Sequence, residues 1–210
     1  MIKILIADDH SIIRSGLKKI LKEESDISVV AEASNYKEVF EELLKQIPDV
    51  LLLDISMPGR DGLDILKEVK SNYPKLKVLM LSMHPEDRYA VRAIKSGASG
   101  YVSKESATEE LVNAIRMVSS GSKYLSKNLA EKMIDYMGVE IEKPAHELLS
   151  NREFQVLCKI ALGKTLDEIA IEFSLSQTTI ATYRERVMSK LKLKSNVDLT
   201  NYAIRNKLID

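Results

Sequence analysis

Only one cysteine occurs in these 210 residues, so an internal disulfide framework is excluded and a reducing, cytoplasmic setting is expected. Cys158 stands among apolar neighbours in a helical pattern and reads as core rather than as a nucleophile. No apolar run approaches the roughly 20 residues that span a bilayer, so no membrane partner is expected. The N-terminus enters a strand pattern directly, without a leader-like stretch. Low-complexity tracts and solenoid-type repeats are missing. Net charge is missing too, with 31 Lys and Arg against 31 Asp and Glu. What the chain does have is 45% apolar residues, ample for one large or two small domains.

The most informative stretch is Leu51-Leu52-Leu53-Asp54, followed by Ile55-Ser56-Met57-Pro58-Gly59. An unbroken apolar run reads as a strand buried on both faces, as in a parallel sheet. It ends on a carboxylate, and Pro and Gly then force a turn. A lone Asp there would be a helix cap, but three other strand patterns end on chemistry as well. Residues 2–7 run into Asp8-Asp9, residues 78–81 into Ser82, and residues 100–103 into Lys104. Parallel strands share a carboxyl edge, and ligands bind there where strand order reverses. Three carboxylates, a hydroxyl and an ammonium are therefore expected to converge.

Strand patterns near 2–7, 27–33, 49–54, 77–82 and 100–103 alternate with helical patterns near 11–24, 36–46, 62–72, 86–96 and 107–119. Five such repeats predict a doubly wound, five-stranded parallel α/β domain over residues 1–120. Asn35…Glu38 and Ser106…Glu109 have the spacing of capping boxes. Residues 121–147 read as a linker: 127–137 have the pattern of one more helix, and Gly138 to Glu147 is short, polar and Pro-containing. Residues 148–210 form a small all-α unit of four helices. Ser150…Glu153 opens the first, which Gly163 stops. Thr165…Glu168 opens the second, Ser176 caps a third reaching Leu191, and Ser195 opens the fourth. The second and third form a helix-turn-helix pair.

Clustered carboxylates repel one another, so the acidic edge makes little sense as a purely structural feature. A hard divalent cation such as Mg²⁺ resolves it, because it takes one or two carboxylates, keeps waters and accepts a phosphate oxygen. Asp54 then becomes a carboxylate nucleophile toward phosphorus. Lys104 and Ser82 supply the charge and the donor for the transferred oxygens.

In the third C-terminal helix, Ile180, Val187 and Leu191 fall within about 20° of one line and form the buried stripe. Thr178, Thr182, Glu185 and Ser189 lie opposite, flanked by Ala181 and Arg186. A helix in the major groove reads bases with such a face: Thr contacts either base type or a thymine methyl, and Glu accepts from a cytosine amino group. From Ser176 to Lys207 seven Lys and Arg stand against two acids. Within that excess, Arg184, Arg186, Lys190, Lys192 and Lys194 are cast as phosphate ligands. Thr179 and Tyr183 complete the candidate DNA-facing set. The last helix and tail carry Val197, Leu199, Tyr202, Ala203, Ile204, Leu208 and Ile209. That surplus reads either as core or as a dimer interface.

Asp8-Asp9, Asp54, Met57-Pro58-Gly59, Ser82 and Lys104 together resemble the receiver domain of two-component response regulators. The C-terminal run Leu149-Ser150-Asn151-Arg152-Glu153…Gly163…Glu168-Ile169-Ala170…Ser176…Thr179-Ile180…Lys190-Leu191 resembles the LuxR-type helix-turn-helix. The pair is similar to the NarL/FixJ family, over the whole chain except the linker. The resemblance implies a phosphorylation-dependent transcriptional regulator, catalysing only its own phosphoryl transfer and dephosphorylation. Asp54 would accept phosphate from a histidine kinase. Asp9, Asp54 and the Ser56 carbonyl would bind Mg²⁺, with Asp8 acting through water, and Ser82 and Tyr101 would rearrange. It further implies a homodimer when phosphorylated, double-stranded DNA with two half-sites, and RNA polymerase as a further partner. Tyr101 by itself reads equally as a half-buried core aromatic. His10 and His84, flanking the site, either tune hydrolysis or are passive. Positions 181 and 185, often basic in that family, are Ala and Glu here, so its known DNA sequences do not transfer. Two rivals remain. A haloacid-dehalogenase-type phosphatase would want Asp-x-Asp where this chain has Asp54-Ile55-Ser56. An adaptor that works unphosphorylated would not need the intact acidic cluster.

Overall fold

The computed structural model describes residues 1–57, 60–82, 86–104, 107–126, 129–131 and 144–209, with backbone only at 86–88 and 107–109. The chain divides into two compact units, Met1–Met137 and Gly138–Asp210. The Pro58-Gly59 turn, His84, the Ser106…Glu109 capping box and most of 127–143 lie outside the described residues.

The first unit alternates strand and helix: β1 (Ile2–Ala7), α1 (Ser11–Lys22), β2 (Ile27–Ala33), α2 (Tyr36–Lys45), β3 (Val50–Asp54), α3 (Gly62–Asn72), β4 (Lys77–Ser82), α4 (Glu86–Lys95), β5 (Gly100–Ser103) and α5 (Ala107–Ser119). The sheet is parallel throughout, in the order β2-β1-β3-β4-β5. Order reverses between β1 and β3, so their carboxyl ends flank the crevice where such sheets bind ligands. Every residue of β3 is buried, as expected for a central strand covered on both faces. Ile4, Ile6, Leu52, Leu79 and Leu81 pack with Leu111, Ala114, Ile115 and Val118 of α5 into one core. The cap at Asn35 differs in detail from the expected box. Asn35 accepts from the Glu38 N–H, but the Glu38 carboxylate reaches one residue further back, to the N–H and hydroxyl of Ser34.

The second unit has α6 (Asn151–Ala161), α7 (Leu166–Phe173), α8 (Gln177–Leu191) and α9 (Asn196–Arg205). Full capping boxes, Ser150 with Glu153 and Thr165 with Glu168, open α6 and α7. Each satisfies two N–H groups that a helix start leaves without partners. Ser174 ends α7 in the left-handed region at φ 53°, and Ser176 caps α8 with only Leu175 between them. That tight turn makes the helix-turn-helix pair. Ile180, Val187 and Leu191 are the buried residues of α8.

The described end of the polar linker is not loose chain. Ala145–Leu148 forms a short 3-10 turn, and His146 is buried. The His146 N–H donates to the Tyr202 hydroxyl at 3.1 Å, and the imidazole lies against Phe154 and Tyr202. Aromatic contacts and hydrogen bonding to the Tyr202 hydroxyl turn a stretch that reads as linker into packing against α6 and α9. Composition over ten residues carries no signal of that.

Candidate functional site

Two places bring chemistry together: the carboxyl edge of the sheet and the exposed face of α8.

At the sheet edge, Asp8 and Asp9 follow β1, Asp54 ends β3, Ser82 ends β4 and Lys104 follows β5. Asp8 and Asp54 are almost wholly buried, at 0% and 1% exposure. The Lys104 ammonium sits between them, 2.6 Å from Asp8 Oδ2 and 3.0 Å from Asp54 Oδ2. It is held there from the backbone, because the Lys104 N–H donates to the Ser82 carbonyl at 2.8 Å. One lysine faces two buried carboxylates, so the cluster keeps a negative excess in a poorly solvated place. Burial accordingly pushes the Asp54 carboxyl above its ordinary value, and the Asp8 charge adds to the rise. Lys104 and the Ser56 N–H oppose it. His10 borders the cluster, with Nδ1 2.7 Å from Asp9 Oδ1 and its N–H donating to Asp8 Oδ1.

Asp8, Asp9, His10 and Asp54 each offer a ligand atom, all within 4.8 Å of one another. Asp54 Oδ1 is buried, lies outside the Lys104 pairs and, among the described residues, has no hydrogen-bond partner within strict geometric limits, the Ser56 N–H being the donor that faces the carboxylate. An orphaned carboxylate oxygen among other carboxylates suits a hard cation. The edge is therefore an acidic cluster able to hold a metal ion.

Ser82 and Tyr101 are both fully buried. Tyr101 sits in register with Met80 and is deeper than the half-buried aromatic expected of a core position. Ser56 is exposed in the loop after β3. Two residues outside the expected set, Asp61 and Gly62, fix that loop. Asp61 is buried and caps α3 by accepting from the Leu63 N–H at 2.8 Å. The Gly62 N–H donates to the Ile55 carbonyl at 2.9 Å, and a Cβ on Gly62 would collide with the Asp54 carbonyl oxygen. The Asp-Gly dipeptide is the signal for both: a cap followed by a residue without a side chain, where two backbones meet.

On α8, Thr178, Thr182, Glu185, Arg186 and Ser189 are exposed or nearly so, and Thr179, Ala181 and Tyr183 lie along the same surface. Ser176, Thr178, Thr179, Thr182, Tyr183 and Arg186 line a shallow depression. The basic residues differ in availability. Lys190 is tied to the cap of α6, with Nζ 2.6 Å from Glu153 Oε2 and 3.2 Å from the Leu148 carbonyl. Burial pushes the Glu153 carboxyl up, but Lys190 and Ser150 outweigh that and hold it below its usual value. Arg184 donates to Asn196 at 2.7 Å. Arg186, Lys192 and Lys194 form no ion pair among the described residues. On α9, Leu199 and Ala203 are buried, whereas Val197 and Ile204 are 68% and 55% exposed. The apolar surplus thus splits into a core face and an outward face.

Known proteins resemble both units. Residues 4–116 match the response regulator receiver domain, and residues 147–203 match the bacterial regulatory proteins of the luxR family. Over 209 residues the chain is 36% identical to the response regulator UvrY of Escherichia coli, covering 99% of this chain and 96% of that protein. It is 35% identical to the oxygen regulatory protein NreC of Staphylococcus epidermidis, covering 99% of each. Among solved structures, RcsB of Salmonella enterica serovar Typhimurium, bound to the rprA promoter with phosphomimetic BeF3-, matches with a TM-score of 0.66. It is 27% identical, over 96% of this chain and 97% of that one.

Proposed function

Because this chain belongs to the NarL/FixJ family of response regulators, with a receiver domain and a LuxR-type DNA-binding domain, we propose that Asp54 is its phosphoacceptor. The protein is a DNA-binding transcriptional regulator and not a classical enzyme. Its chemistry is confined to its own aspartate: it takes a phosphoryl group from a histidine kinase and later hydrolyses it, in the cytoplasm.

Asp54, buried beside Asp8 and Lys104 with its Oδ1 outside the Lys104 pairs, is the observation that carries this reading. Asp9, Asp54 and the Ser56 carbonyl would hold Mg²⁺, with Asp8 acting through water. When bound, the ion supplies positive charge that lets carboxylate and phosphoryl oxygens approach. One Asp54 oxygen bonds to phosphorus as the donor's bond to phosphorus breaks, and that electron pair leaves with the donor nitrogen. The Lys104 ammonium pairs with the phosphoryl oxygens, and the Ser82 hydroxyl donates to them. Ser82 is thereby drawn toward the edge, which opens space for the Tyr101 ring. The shift biases two existing arrangements and exposes a pairing surface near α4 and α5.

The paired form binds double-stranded DNA at two half-sites, one α8 in each major groove. Thr178, Thr179, Ala181, Thr182, Tyr183 and Glu185 face bases; Arg186, Lys190 and Lys194 face phosphates. The outward Val197 and Ile204 of α9 offer a second pairing surface, and RNA polymerase is the further partner. The working division is receiver 1–120, connector 121–147 and DNA-binding domain 148–210.

Acetyl phosphate with Mg²⁺ should add one phosphoryl group to the full chain and none to Asp54→Asn, as read by intact mass. Equal labelling of the variant overturns the assignment.

A further inference from the structure

The exposed face of α8 carries one carboxylate, Glu185, among short hydroxyl and methyl side chains. Glu185 is exposed and makes no hydrogen bond or ion pair among the described residues. Its helical neighbours at three and four residues, Ala181, Thr182, Met188 and Ser189, bring no positive charge to it. The Thr182 hydroxyl spends its proton on the Thr178 carbonyl, at 2.9 Å. Toward DNA it can present only lone pairs and a methyl group. Ala181 presents a methyl group. Of the nearby cations, Arg184 is engaged by Asn196 and Lys190 by Glu153. Arg186 forms no ion pair among the described residues but stands about 100° around the helix from Glu185.

A carboxylate carried into the major groove meets phosphate repulsion and loses water, so it is tolerated only where a base edge donates to it. Guanine offers O6 and N7, both acceptors, which repel it. Cytosine N4 and adenine N6 are the donors, and cytosine N4 stands without a neighbouring acceptor on its own base edge. We infer that α8 selects a C·G pair through Glu185 in each half-site, with Thr182 on a neighbouring pair that offers a thymine methyl or an amino donor. The inference rests on the DNA-binding reading above and adds to it the base chemistry this helix prefers. The same carboxylate repels DNA that lacks the pair, so it lowers non-specific affinity while it raises discrimination.

The test is selection from randomised duplex DNA with the full-length protein, treated with acetyl phosphate and Mg²⁺, and with Glu185→Ala and Glu185→Gln. Wild type should enrich cytosine at one position per half-site, with discrimination of about ten- to a hundredfold. Glu185→Ala should flatten that position to below about threefold while the other positions persist, and should bind random DNA as well as or better than wild type. Glu185→Gln should move the preference toward adenine, whose N6 and N7 match an amide. Glu185 is exposed, so matching thermal melts will show that the variants fold. An unchanged profile in Glu185→Ala overturns the inference and leaves DNA binding intact. A wild type that binds DNA without selecting a sequence also overturns the inference, and one that retains no DNA at all overturns the DNA-binding reading itself.

Discussion

The receiver edge and the α8 face use charge in opposite ways. In the first unit Asp8, Asp54 and Lys104 are nearly sealed from water, with more negative than positive charge among them. Desolvation raises the Asp54 carboxyl and works against the fold. In the second unit the buried Glu153 and the more exposed Glu172 are both paired with lysines. Glu153 takes Lys190, and Glu172 takes Lys159 and Lys164. Burial pushes both carboxyls up, yet their partners outweigh it, and both lie below the usual glutamate value. Of the charges proposed to meet DNA, Arg186 and Lys194 are exposed and form no ion pair among the described residues, whereas Lys190 also holds the buried Glu153. A phosphoacceptor needs a dry, preorganised site, so stability and chemistry conflict there. A groove-reading helix works from its outer face, so in that unit the two separate except at Lys190, which serves the α6 cap as well.

The contrast can be broken by experiment, most sharply at Lys104. Lys104→Met leaves two buried carboxylates without their shared cation and should cost the receiver unit about 3–5 kcal/mol without divalent ions, by urea unfolding. A loss below about 1 kcal/mol means the carboxylates are better solvated than their burial indicates. Gly62→Ala forces a Cβ into the Asp54 carbonyl, and overpacking of that kind costs about 1–3 kcal/mol. Phosphoryl uptake should fall with it, since the Asp54–Ile55 backbone must move.

Asp54→Asn should do the reverse and stabilise the unit at neutral pH by about 0.5–2 kcal/mol, while labelling is lost. A destabilised variant would show that Lys104 more than compensates the burial. In the helical unit, Lys190→Ala strips the partner from a buried Glu153 and should cost about 1–2 kcal/mol. Arg186→Ala should leave stability within about 0.5 kcal/mol and reduce the slope of log affinity against log salt by about 0.9. If Lys190→Ala also lowers that slope, the lysine exchanges Glu153 for phosphate on binding.

The smallest effects concern pH, and the two units should differ in sign. Glu153 and Glu172 titrate below the ordinary glutamate value. Their stabilisation is complete above that value and is lost as pH falls through the lower folded one. Asp54 titrates above the ordinary aspartate value. Its contribution is present when protonated, below that value, and fades as pH rises through the raised folded one. Hydrogen exchange resolved for each unit should show the acid loss in α6 and α7, and a receiver component that Asp54→Asn removes. Phosphoryl uptake needs the carboxylate, so it should fail on acidification before an ordinary aspartate would protonate.

Local features of the chain carry much of this protein's design. Apolar runs ending in Asp54, Asp8-Asp9, Ser82 and Lys104 expose both a parallel sheet and its ligand edge, because burial on two faces keeps polar residues out of their middles, as over 4–7 and 50–53. The capping residues at 150, 165, 176 and 195 mark their helices because a helix start must satisfy its own N–H groups locally. Those features depend on neighbours in sequence, so the chain alone determined the five β-α repeats, the helix-turn-helix pair and the phosphoacceptor candidate. Partnerships between distant residues were decided only by tertiary structure. Lys190 reads as a phosphate ligand by charge, yet it reaches Glu153, 37 residues away. His146 reads as linker, yet it packs on Tyr202, 56 residues on. The Gly62 approach to Asp54 follows from the return of α3 onto β3. Such contacts are set by how elements pack after they form, and neither periodicity nor composition encodes which side chain will face which.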